Sequence, residues 1–160
     1  MAQLLTAIGG SVMVSMVGKE VLLQTISETA KGIYSVGKYA AIYSTTYPNV
    51  SLVYKRLDLL ATIRVIEALM NDIASNEKIN SGLSKESDCV NVSLDNIRET
   101  LEELHSEMNK VNKILDYHAQ KYFNSWRSLD LSMELDKIEL IYETLLKRLE
   151  LFTKIHSIVH

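Results

Sequence analysis

The sequence predicts an all-α protein, a helical bundle in which a long, coiled-coil-like antiparallel C-terminal hairpin packs on N-terminal helices. Three observations carry that prediction. Between Val90 and Trp126 the residues Leu94, Ile97, Leu101, Leu104, Met108, Val111, Leu115, His118 and Tyr122 step by three and four in alternation, which is a heptad seam. A second seam, Leu131, Leu135, Ile138, Tyr142, Leu145, Leu149, Phe152, His156 and Val159, repeats the alternation. The composition agrees, with one proline and six glycines in 160 residues, a balance that favours long helices over a strand-rich fold with many tight turns. Each seam would occupy a helix of about 42 Å at 1.5 Å per residue.

A chain of this length buries roughly two-thirds of the surface its unfolded form exposes, so a single domain over 1–160 needs no metal or disulfide to hold it together. Within it we expect apolar N-terminal helices over 1–75, a polar linker over 76–89 and the hairpin over 90–160.

Through Tyr47 the only charged residues are Lys19, Glu20, Glu28, Lys31 and Lys38. Leu5, Ile8, Val12, Met16, Leu23, Ile26, Ala30 and Ile33 keep helical spacing, while Gly9, Gly10, Gly18, Gly32 and Gly37 interrupt it. Glycine inside a helix costs about 1 kcal/mol relative to alanine, so these positions point to close backbone approach or a break, most naturally near Gly18. A helix this poor in charge is buried against other helices, a partner or a membrane. Residues 1–18 carry no charge but are interrupted by Gln3, Thr6, Gly9, Gly10, Ser11 and Ser15, which makes them a weak candidate for a membrane span. They also lack the positive start of a secretory signal.

Tyr39, Tyr43 and Tyr47 follow at intervals of four and line one helical face, expected to end at Tyr47-Pro48 because proline disfavours helix in its predecessor. The stripe has two readings, core packing with hydroxyls at the rim or a contact surface, since tyrosine is enriched at interfaces. After the proline, Val50, Val53, Leu57, Leu60, Ile63, Ile66, Leu69, Met70 and Ile73 form an apolar stripe, with Asp58 placed to cap a helix running to about Ala74. Ser93 is placed to cap the first helix of the hairpin. In both hairpin helices acidic residues lie early and basic residues late, which complements the helix dipole.

The net charge of −3 argues against a protein that neutralises nucleic-acid phosphates. Cys89, the single cysteine, excludes an intramolecular disulfide and suits a reducing compartment. Glu102 and His105 have the Glu-x-x-His spacing of carboxylate-bridged di-iron bundles, but the second pair such sites need is missing, and both lie off the seam and should face solvent. No phosphate loop, nucleophile elbow or paired-cysteine motif occurs. We therefore expect no enzyme, no cofactor and no metal. The remaining conspicuous cluster is Lys121, Tyr122, Phe123, Trp126 and Arg127 at the end of the long helix. It reads either as an aromatic plug closing the hairpin, with basic stems over the rings, or as a binding hot spot.

Two stretches, Leu57-Asp58 with Ile63, Ile66 and Leu69, and the run from His118 through Lys121, Tyr122, Phe123 and Trp126 to Arg127, resemble a group of small uncharacterised helical proteins of nucleocytoplasmic large DNA viruses, the giant viruses. The likeness covers about Val50 to the C-terminus. It implies a viral origin and a virion or host-cytoplasm location, and it carries no catalytic residue. The function expected is that of a non-enzymatic structural or interaction protein, possessing a protein partner or forming a homo-oligomer through the tyrosine stripe or the Trp126 cluster. The alternative is a membrane-associated bundle acting through residues 1–18.

Overall fold

The computed structural model describes residues 18–79, 88–121 and 128–159, and in them every regular element is a helix. Helix α1 spans Lys19–Ala40 and runs into a 3-10 turn, Ala41–Tyr43. Then come α2, Pro48–Arg56, α3, Leu59–Ile79, α4, Asp88–Ala119, and α5, Ser132–Val159.

Helix α1 lies between α3 and α4, and α4 also packs along α5. Cross-contacts fix the directions. Ser27 with Asn71 and Lys31 with Glu67 set α1 antiparallel to α3. Asn112 donating to the Val36 carbonyl and Tyr39 donating to Asp116 set α4 parallel to α1. Lys137 with Glu107 and Arg148 with Thr100 make α4 and α5 the expected antiparallel pair. The bundle closes where Thr62 of α3 shares a hydrogen bond of 2.8 Å with Tyr142 of α5, and where Arg56 of α2 pairs with Glu139 at 2.5 Å. Helices α3 and α4, successive in the chain, are thus diagonal across the bundle.

The heptad positions supply the core. Leu94, Ile97, Leu101, Leu104, Met108, Val111, Leu115 and His118 are all buried on α4, as are Leu131, Leu135, Ile138, Tyr142, Leu145 and Phe152 at and along α5. The charge-poor α1 is explained by its two neighbours: Leu22, Leu23, Ile26, Ala30, Ile33 and Ala40 are buried beneath them. Gly37 sits where α1 meets both. A Cβ there would overlap the Leu60 side chain and lie 3.3 Å from Met108 Cε, so this glycine marks a true close approach.

Several local expectations are corrected. Helix α1 stops at Ala40, not at Tyr47, and Pro48 is the first residue of α2, where its missing N–H costs nothing. Asp58 stands directly before α3, where a cap was expected, and its φ of 49° makes it the left-handed reversal between α2 and α3: its N–H bonds Lys55 O and its carbonyl accepts from the Thr62 N–H. Helix α3 continues five residues past Ala74. Helix α4 begins at Asp88, which leaves Ser93 buried inside the helix instead of capping it, and puts Cys89 exposed on a helical first turn instead of in a loop. The two hairpin helices are 32 and 28 residues long, not equal. The start of α5 is set by Asp130, whose carboxylate accepts from both the N–H and the hydroxyl of Ser132. These bonds hold the Asp130 carboxyl below its usual range.

Among the described residues no helix is long and apolar enough to cross a membrane. Residues 1–17, on which the membrane alternative rests, lie outside the described residues.

Candidate functional site

The tyrosine stripe survives the end of α1 because the 3-10 turn keeps a near-helical rotation. Successive rings stand 6.0 Å apart from Tyr39 to Tyr43 and 6.2 Å apart from Tyr43 to Tyr47, the first pair edge to face. All three hydroxyls turn toward α4. Tyr39 donates to Asp116 Oδ1 at 3.0 Å, and Tyr43 donates to the same oxygen. The Tyr47 hydroxyl bonds His118 Nδ1, and the two rings meet edge to face at 5.5 Å.

The electrostatics follow from those contacts. Donation to Asp116 pushes the Tyr43 phenol far above its ordinary range, helped by Tyr39, because ionisation would remove the donor and set two negative charges together. Burial pushes Tyr47 up as well. Both hydroxyls therefore keep their protons at neutral pH. His118 is buried, and its Nε2 has no hydrogen-bond partner among the described residues. This end of the bundle also carries a cleft of about 410 Å³ between α2 and the start of α5, lined by Tyr47, Pro48, Val53, Leu129, Leu131 and Leu135.

Of the other sequence-derived candidates, Lys121 places its ammonium 4.1 Å from the centre of the Tyr117 ring, one turn back on α4. Tyr122, Phe123, Trp126 and Arg127 lie outside the described residues. Glu102 is held by Arg98 at 2.8 Å, and His105, expected to face solvent, is half-buried with its ring over Gly32 of α1. A Cβ at Gly32 would stand 3.1 Å from that ring. Among the described residues no group of three or more metal-ligating side chains converges.

Asp116, which gathers two of the three tyrosines, had no signal in the sequence, since its partners are 77 and 73 residues away. A second feature also went unread. Helix α5 exposes Met133, Leu140, Leu151 and Ile158, each more than half accessible to solvent.

The fold and these surfaces define a helical bundle in which the tyrosine stripe and the Glu107, Arg148 and Thr62 contacts join neighbouring helices, with apolar residues left on an outer helix face. No family model matches the chain, and no solved structure matches it. It is similar to an uncharacterised protein, L717, of Acanthamoeba polyphaga mimivirus, with 24% identity over 120 residues that take in 62% of this chain and 58% of that protein. The chain therefore matches little more than half the length of that relative, and the likeness points to a giant-virus origin.

Proposed function

We propose that the protein is a non-enzymatic interaction module of a giant virus that works through helix-to-helix contact, in the virion or in the host cytoplasm. The observation that carries this reading is the outer face of α5. Met133 is 75% exposed, Leu140 64%, Leu151 54% and Ile158 83%, on a helix whose opposite face already fills the core. Single exposed apolar residues are ordinary on soluble proteins, but several aligned on one helix mark a surface that gains by being covered. The described polar clusters serve another purpose. The tyrosines clasp α4 and the Lys137–Glu107 pair joins α5 to α4, so these groups hold the scaffold that presents the face.

The reading is tested by photo-crosslinking in infected host cells. A benzophenone amino acid at Leu140 should give discrete adducts with protein, while the same group at Lys31, 60% exposed on α1, should give none. No protein adduct from Leu140, or equal labelling from both positions, would contradict it.

A further inference from the structure

Four of the exposed apolar residues of α5, all but the less exposed Leu146, form a pattern that is complementary to itself. Met133, Leu140, Leu151 and Ile158 are separated by seven, eleven and seven residues, close to whole numbers of turns at about 3.6 residues each, so they fall on one line along the helix. The line is mirror-symmetric in sequence. Met133 and Ile158 are equidistant from a point between Leu145 and Leu146, and so are Leu140 and Leu151. One edge of the line carries Asp136, Glu143, Lys147 and Lys154, all exposed. About the same midpoint Asp136 mirrors Lys154, and Glu143 mirrors Lys147, each to within one residue. Acid therefore stands where the mirror image has base.

We infer that the protein forms an antiparallel homodimer through this face of α5, with Met133 against Ile158 and Leu140 against Leu151 of the second copy. A two-fold axis through the midpoint turns each edge of the helix against the same edge of its mate, as an isologous contact requires. That brings Asp136 to Lys154 and Glu143 to Lys147, twice each. Within one chain Lys154 is held by the exposed Glu150 at 2.6 Å, a contact that leaves the ammonium on the surface and within reach of a second acid. The other edge does not oppose the pairing, because its cations are engaged on α4: Lys137 with Glu107 at 2.7 Å and Arg148 with Thr100 at 2.5 Å. A parallel pair would instead set this charged edge against the other one, whose cations are already held on α4, and would form neither of the mirrored acid–base pairs. The mirrored charges thus select a second copy over an unrelated helix, and antiparallel over parallel.

This inference rests on the proposed interaction role and names its partner. The test is sedimentation of the full-length protein from micromolar to near-millimolar concentration. Wild type should pass from monomer to dimer, and Leu140→Glu or Leu151→Glu should raise the dimer Kd by more than about tenfold, since each change counts twice in the contact. All these residues are exposed, so circular dichroism melts of the variants should match wild type at low concentration, where wild type is monomeric. Asp136→Lys alone and Lys154→Asp alone should each weaken the dimer, and the two together should restore it. A wild type that stays monomeric throughout, or a double variant no better than the singles, overturns the dimer. If the chain is monomeric while Leu140 crosslinks a different protein, the dimer is wrong and the interaction role stands; if Leu140 crosslinks no protein, the role itself fails.

Discussion

Glu107 shows how one side chain couples the hairpin to pH. It is buried on α4, accepts from Lys137 of α5 at 2.7 Å, and has Lys110 3.6 Å from its other oxygen. The hydrogen bond from Lys137 holds its carboxyl below the ordinary glutamate range, against an opposing pull from desolvation, and the same bond raises Lys137. A carboxyl whose folded pKa is depressed adds stability that is present above its unfolded pKa and lost as pH falls through the folded one. Both lysines are about half exposed, which screens the pair, so Glu107→Gln should cost about 1–2 kcal/mol at pH 7. Urea unfolding of wild type and variant at neutral pH and again near pH 3 checks this. The difference should shrink in acid as wild-type Glu107 becomes protonated, and a difference that persists unchanged would show that shape, not charge, is what the glutamine disturbs.

At the scale of the helix, α1 is the element on which the bundle depends, and Gly37 is its tightest point. Valine there would have to displace Leu60 and press on Met108, so despite the gain in helix propensity Gly37→Val should destabilise by about 1–3 kcal/mol, read as a lower denaturation midpoint. A midpoint equal to wild type would mean that α1 and α3 separate more easily than this contact implies. The elements themselves were legible to the degree that their pattern is periodic. Both seams from Leu94 to His118 and from Leu131 to Phe152 could be read directly, because a residue every three or four positions leaves no other stable arrangement for so many apolar groups. Helix ends were harder. The stop at Ala40 has no proline or glycine of its own, and Asp88 lies in a stretch without apolar rhythm, so no local residue marks either position. The tyrosine face was visible from its spacing, whereas Asp116 and His118, its partners, belong to a distant helix. The outer line on α5 was hidden for a different reason: its members are seven and eleven residues apart and lie among charges, so each reads as a lone surface residue beside the much stronger inner seam.

For the whole molecule, the order α3, α1, α4, α5 around the bundle leaves α5 with its inner face on the core and its outer face to solvent. The parallel neighbours α1 and α4 are tied at one end by the tyrosine clasp, and the antiparallel α4 and α5 by Glu107 and Arg148, so α5 is presented on a braced support. A helix face already held against its neighbours suits association because less conformational freedom remains to be lost on binding. The most direct measurement is the distance between spin labels in the self-associated protein, placed singly at Met133→Cys or Lys147→Cys with the exposed Cys89 replaced by serine. In an antiparallel pair the two labels at 133 should be separated by about 37 Å along the helices, at 1.5 Å per residue, while those at 147 should lie only about 5 Å apart along the same direction. A long distance from the first label and a short one from the second is the predicted result. Short distances from both, or no coupling between chains at concentrations near a millimolar, would contradict the account.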